Sequence, residues 1–196
     1  MTTALLFLAG FLLGSIPTGK IIAKRMGIDL QKTGSGNIGA TNVLRSTGKL
    51  PALFTLIGDM AKGSLAVLLA RSFQVSTWDE GIIGIAAVLG HNFSIFLKFR
   101  GGKGVATSLG VLLVYAPMAG LSTIAAWLLI VLATRISSLG AIVSFSTLPL
   151  VIYFLYPGAK EKLSISCIMS IILLMRHKDN IYRLIRRTEP KVGNKK

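Results

Sequence analysis

The chain has 196 residues, 52% of them hydrophobic and 15% charged, with a mean hydropathy of +0.68. Those values exclude a soluble globular domain, a disordered chain and a fibrous one, and leave a polytopic membrane protein. The formal charge of +15, from 22 Lys and Arg against 7 Asp and Glu, would suggest nucleic acid on a polar chain; here the charges must flank apolar spans, so they report topology and no nucleic-acid partner is expected.

The N-terminal stretch MTTALLFLAGFLLGSIPTGK has no basic region before its apolar run and reads as a transmembrane helix over Ala4–Ile22 rather than a cleaved leader. Crossing a hydrocarbon core of about 30 Å takes roughly 20 apolar helical residues. Further segments of that kind lie at Leu50–Ala70, Gly81–Leu97, Leu139–Tyr156 and Leu163–Met175. Val105–Ala133 is free of charge and would make a helix of about 43 Å at about 1.5 Å per residue, with Pro117 near its middle. It is one long kinked span or two short ones turning at Tyr115–Pro117.

Charge bias decides between them. With two spans the total is seven, and Lys20–Lys49, Lys98–Lys103, Arg135 and Arg176–Lys196 share one side. That side carries eighteen Lys and Arg against Asp29, Asp179 and Glu189. The other has Arg71, Lys160 and Lys162 against Asp79, Glu80 and Glu161, a net of zero. A single span would put the basic tail outside, against the positive-inside rule. The expected fold is an all-α integral membrane protein of seven transmembrane helices, N-terminus outside and C-terminus cytoplasmic. Residues 1–196 then form one domain, with Val105–Tyr115 too short to cross fully. The lone Cys167 lies in an apolar run, which excludes an intramolecular disulfide and a cysteine-based metal site.

Within the first cytoplasmic segment, GSGNIGATN (Gly34–Asn42) contains GxGxxG at Gly34, Gly36 and Gly39. The dinucleotide reading requires a βαβ unit that a membrane bundle lacks. GSIPTGK (Gly14–Lys20) approaches a P-loop, but Ile21 stands where the Mg²⁺-binding Ser/Thr belongs. Glycines that admit close approach, with Ser35, Asn37, Thr41, Asn42 and then Arg45, form a cradle for an oxyanion. A polar loop with a helix cap at Thr41 or Asn42 is compatible with the same residues.

FRGGKGVATSLG (Phe99–Gly110) opens an apolar helix, which directs backbone N–H groups and the helix dipole toward a group in front of Lys103. Phosphate is the natural guest, although Lys98, Arg100 and Lys103 could act as positive-inside anchors alone. In RHKDNIYRLIRRTEPK (Arg176–Lys191), His177 and Asn180 are spaced i, i+3 where the last span ends. Lipid-headgroup contact accounts for Arg183, Arg186 and Arg187, but less well for those two. Asp59 and Lys62 in GDMAKG pair with each other, as a structural ion pair or as part of a site. His91 suits interhelical hydrogen bonding better than catalysis. With no HExxH, CxxC or carboxylate cluster, no metal or other cofactor is expected.

Two Gly-rich anion loops and a His/Asn pair on one membrane face suggest an enzyme joining a phosphorylated solute to a lipidic partner. A transporter of an organic phosphate would more naturally place broken helices and charge at the bilayer midplane. A non-catalytic lipid-binding scaffold would tolerate loss of Ser35 or Lys103.

GSIPTGKIIAK, SGNIGATNVLR, GDMAKG, GHNFSIFLKFRGGKGVAT, RISSLG and the Arg176–Lys191 segment together closely resemble the bacterial PlsY family of glycerol-3-phosphate acyltransferases, across essentially the whole chain. The family's seven-helix fold agrees with the charge-derived topology. Ser94 departs from the family pattern, where Pro is usual after His-x-Phe.

The resemblance implies acyl transfer from acyl phosphate to the 1-hydroxyl of sn-glycerol 3-phosphate, giving lysophosphatidic acid and phosphate at the cytoplasmic face of a bacterial inner membrane. It places Ser35 and Arg45 in an essential first motif, and Gly101, Gly102, Lys103 and Gly104 in a glycerol-phosphate-binding loop. His177 and Asn180 fall in a third motif, and Glu189 at a position tied to structural integrity. No H-x4-D follows either histidine, since Phe96 and Tyr182 stand at those places, in keeping with a donor other than acyl-CoA. Arg45 and Lys103 are expected to clamp phosphates, with Ser35 and Asn180 orienting the reacting groups. His177 or a substrate phosphate takes the proton, the latter slightly preferred.

Overall fold

A computed structural model describes residues 2–193; Met1 and the two C-terminal lysines of the basic count, Lys195 and Lys196, lie outside them. Among the described residues there are helices and connections and no strand. In chain order the helices are α1 (Thr2–Ser15), α2 (Thr18–Arg25), α3 (Ala40–Thr47), α4 (Lys49–Ser72), α5 (Thr77–Asn92), α6 (Val105–Tyr115), α7 (Pro117–Thr134), α8 (Ser137–Ser146), α9 (Leu148–Leu155), α10 (Lys160–Arg176) and α11 (Lys178–Ile185), with a 3₁₀ turn at Ile95–Leu97.

Each predicted apolar segment is helical, and the breaks have local causes. Pro17 separates α1 from α2, which still run on as one span of 24 residues. The 29-residue run divides at Ala116, where the backbone leaves the helical region (φ −146°, ψ 74°) and Pro117 starts α7 at a position needing no N–H donor. The span expected at Gly81–Leu97 is present as Thr77–Leu97, with α5 to Asn92 followed by the 3₁₀ turn. There the Ser94 hydroxyl donates to the Ser15 carbonyl at 2.5 Å, a bond that proline could not make. α8 and α9 meet at Thr147 with a 43° bend. Among the described residues, four helical stretches are long and apolar enough to cross a membrane singly, or five if α8 and α9 count as one; α6 has 11 residues.

Lipid supplies no hydrophobic drive for helix association, so close backbone approach must substitute for it. Helices α1 and α5 touch through Gly14 against the Ala87 backbone and Gly90 against Phe11; α4 and α6 touch through Gly63 against Thr107 and Gly110 against Met60. A Cβ at any of the four would strike backbone rather than a side chain that could move aside. The central core, which includes Val111, Tyr115, Phe145, Ile152 and Met169, lies among α5, α6, α8, α9 and α10. Outward-facing leucines stay open, Leu129 at 68% and Leu132 at 77%, as a lipid-facing surface requires.

The connections gather at two ends. At one, Arg71 reaches the Val114 carbonyl and Lys162 the Tyr115 carbonyl, while the Tyr156 hydroxyl accepts from the Met118 N–H. At the other, Thr41 meets Ser137, Arg45 meets Pro190, Lys103 meets Asn180 and Arg135 meets Val192. The second end collects the basic loops.

Candidate active site

Three loop systems converge at the basic end. The first, between α2 and α3, is tied together by Asn42. Its Oδ1 accepts the Ser35 N–H at 2.9 Å, and its Nδ2 donates to the carbonyls of Leu30, Thr33 and Asn37 at 3.3, 3.0 and 2.8 Å. Gly34 holds a left-handed φ of +61° directly over that amide, where a Cβ would collide with Oδ1. The buried Asn42 therefore shapes the loop from within and leaves Ser35 at an exposed mouth. The cap expected at Thr41 or Asn42 does not form: Gly39 is the N-cap of α3, and the Thr41 hydroxyl pairs with Ser137 at 3.1 Å.

The second system, Lys98–Gly104, leads into α6. Lys103 Nζ donates to Asn180 Oδ1 at 2.5 Å. Burial pulls its ammonium down to about 8, helped by Arg183 and Arg176 and opposed by Glu189 and Asp179.

In the third, His177 ends α10 and Asn180 lies in the first turn of α11, both buried. A carbonyl can only accept, so the 2.9 Å contact from His177 Nδ1 to Leu173 O places the proton on Nδ1 and leaves Nε2 as the acceptor. Burial holds this imidazole at about 4, neutral at physiological pH. Asn180 Nδ2 donates to Glu189 Oε1 at 2.6 Å, which also accepts the Ser138 hydroxyl at 2.6 Å, while Arg183 Nε donates to Glu189 Oε2 at 2.7 Å. Burial alone would raise the Glu189 carboxyl, but these three donors hold it below its ordinary value. The segment after α11 then folds back: Arg45 Nη2 donates to the Pro190 carbonyl at 3.0 Å, and the Val192 N–H donates to the Arg135 carbonyl at 2.6 Å. Among the described residues, Arg45 Nε is buried without a partner.

These systems surround one cavity of about 780 Å³. Ser35, Asn37, Thr41, Asn42, Arg45, Lys103, Gly104, His177 and Asn180 all border it. Its other end runs between α4 and α7, along Leu53, Leu56, Met60, Ile124, Trp127 and Leu128. The cavity is thus cationic at one end and apolar at the other.

Gly101 and Gly102 are not on this cavity. Their N–H groups bond the Asn92 and His91 carbonyls at 3.2 and 2.9 Å, so they are not available to an anion. Gly101 faces a separate polar recess of about 420 Å³. Deep in the bundle, Asp59 and Lys62 pair at 2.9 Å, and Lys62 also reaches His91 Nδ1 at 2.7 Å and the Ile16 carbonyl at 3.0 Å. Asp59 and His91 touch the floor of the main cavity.

Ser138 is a cavity residue that no motif singles out, and Arg183, which the sequence assigns to lipid headgroups, and Glu189, which the resemblance ties to structural integrity, border the cavity as well. Arg183 lies at i+3 from Asn180 on one face of α11, a spacing that could have drawn it in. Nothing in RISSLG distinguishes Ser138 from a loop serine.

A family model described as glycerol-3-phosphate acyltransferase matches residues 4–187. A glycerol-3-phosphate acyltransferase of Trichlorobacter lovleyi is 45% identical over 97% of this chain and 98% of its own length. One of Laribacter hongkongensis is 46% identical over 100% and 99%. A crystal structure of PlsY, an integral membrane glycerol 3-phosphate acyltransferase, in its glycerol 3-phosphate form superposes with a TM-score of 0.92 at 36% identity, covering 98% of this chain and 96% of that one. Its lysophosphatidic acid form gives 0.91. With nearly its full length matched by the family model and by relatives well above a third identical, the chain belongs to the glycerol-3-phosphate acyltransferase family.

Proposed function

We propose that this protein transfers a fatty acyl group from acyl phosphate to the 1-hydroxyl of sn-glycerol 3-phosphate, releasing lysophosphatidic acid and inorganic phosphate. The observation that carries the reading is the division of one cavity into a cationic end bearing Arg45, Lys103 and Arg183 and an apolar end between α4 and α7. Such a site holds a charged soluble acceptor and an acyl chain with the reacting atoms between them.

The hydroxyl oxygen attacks the carbonyl carbon of the mixed anhydride, the bond from that carbon to the bridging oxygen breaks, and the hydroxyl proton ends on the departing phosphate. Phosphate is already a good leaving group, so catalysis needs mainly positioning and charge stabilisation. Lys103 and Arg45 hold the phosphates, and Ser35 and Asn180 orient the reacting groups. A histidine held at about 4 is a weak base; His177 accepts a hydrogen bond through Nε2 and steers the hydroxyl, while the donor's phosphate takes the proton.

The same reading gives seven passes, with the N-terminus outside and the basic end facing the cytoplasm. The Val105–Ala133 run is two helices, and the positively charged connections lie together at one end. Residues 1–196 act as one domain.

Purified protein in lipid, given labelled glycerol 3-phosphate with either palmitoyl phosphate or palmitoyl-CoA, is expected to make labelled lysophosphatidic acid from the acyl phosphate alone, and Lys103→Ala to abolish it or raise the glycerol 3-phosphate KM steeply. Absence of product with both donors, together with uptake of the phosphate ester into sealed vesicles, would establish a transporter instead.

A further inference from the structure

Lys103 projects from a loop with no regular hydrogen-bond pattern of its own, in which Lys98 and Phe99 both hold left-handed backbone angles, φ 52° and 62°. From below, the N–H groups of Gly101 and Gly102 bond the carbonyls of Asn92 and His91, groups that the end of α5 leaves without helical partners. The imidazole of His91 lies directly against Gly102, where a Cβ would collide with Nε2. From above, Arg176 Nε and Nη2 both donate to the Gly102 carbonyl, at 3.2 and 2.9 Å. The guanidinium stays over the Phe93 ring, 5.1 Å from its centroid.

That carbonyl belongs to the peptide plane whose nitrogen is Lys103's own. Fixing its oxygen with a two-pronged donor fixes the plane, and with it the direction in which the Lys103 side chain leaves the backbone. Arg176 itself does not border the main cavity. A membrane-surface anchor would snorkel into headgroups, whereas this one spends two donors on the backbone of a buried glycine.

We propose that Arg176 is a positioning residue for the acceptor substrate: by clamping the Gly102 carbonyl it aims Lys103 at the phosphate of glycerol 3-phosphate. Because it immediately precedes His177, the end of α10 sets two of the three loop systems at once. The proposal rests on the reading of Lys103 as a phosphate ligand, so its test measures acceptor binding apart from turnover.

Glycerol 3-phosphate is titrated calorimetrically into the full-length protein in lipid nanodiscs, for wild type, Arg176→Gln and Arg176→Lys, and KM is measured for both substrates. Arg176→Gln is expected to weaken acceptor binding about tenfold, the scale of one charge-assisted hydrogen bond. The palmitoyl phosphate KM should stay within about twofold, since no contact to the acyl end changes. Arg176→Lys keeps the charge but offers a single ammonium in place of the fork and is expected to lose about threefold. Wild-type affinity in Arg176→Lys would overturn the proposal by showing that charge alone suffices. So would unchanged acceptor binding in Arg176→Gln, or equal losses for both substrates with a lowered melting temperature. Wild type that fails to bind glycerol 3-phosphate would overturn the underlying reading, and this is visible in its own titration.

Discussion

Raising the pH through the range in which Lys103 loses its proton perturbs the cationic end of the cavity without changing a residue. Burial lowers this ammonium from 10.5 to about 8. Below that value the group is charged and attracts phosphate; above it the charge is gone. For glycerol 3-phosphate at saturating donor, kcat/KM follows the enzyme before the acceptor binds, so one unit above the midpoint, where about one molecule in ten keeps the proton, it should be roughly tenfold below its plateau. A bound dianion favours the charged form, so the corresponding limb in kcat should move to higher pH. The assay varies glycerol 3-phosphate at saturating palmitoyl phosphate from about pH 6.5 to about 9.5, returning each sample to about pH 7.5 to exclude irreversible loss. Lys103→Arg stays charged throughout and should lose the alkaline limb, from a lower plateau because the fork does not fit the Asn180 amide as the ammonium does. A limb with the same midpoint in Lys103→Arg would refute the assignment, as would a flat wild-type profile to the top of the range.

The His177 ring, assigned in the NMR spectrum by its loss in His177→Asn, should show no titration between about pH 5.5 and 8, because burial holds it at about 4. A midpoint near 6.5 would return it to the role of proton acceptor. Glu189→Gln removes the charge that joins Asn180, Ser138 and Arg183; it should cost about 2 kcal/mol of stability, reduced from a fully buried pair because Arg183 is 35% exposed, and lower both the melting temperature and activity. Wild-type melting would contradict this. Trp127→Ala opens the apolar end and should raise the palmitoyl phosphate KM several-fold while leaving the glycerol 3-phosphate KM within about twofold. Equal effects on both would separate that end from the acyl chain.

Hydrophobic runs, the Tyr115–Pro117 break and the clustering of basic loops were readable from sequence because they are local: a Pro, a length, a sign of charge. The meeting of Ser35, Arg45, Lys103, His177 and Asn180 was readable because each lies in a dense motif. Asn42 was not separable from its neighbours as a scaffold, since any Asn in a Gly-rich loop suits both loop geometry and ligand contact. Nor could the spacing of GGKG show that Gly101 and Gly102 turn their amides toward the end of α5, a tertiary contact between elements with no shared pattern. Ser138 and Glu189 meet across 51 residues, and neither carries a local signal of the other.

The order of synthesis adds a constraint. Glu189 and Pro190 follow every helix, yet they border the site, one fixing Asn180 and Arg183 and the other holding Arg45. All the apolar helices therefore leave the ribosome before the polar end of the cavity is complete. Until the closing segment arrives, Arg45 lacks the Pro190 acceptor and Asn180 lacks Glu189, so a nascent bundle already in the membrane has the apolar end of the cavity without its finished polar end. The polar end of the cavity is thus completed only after every described helix has been made.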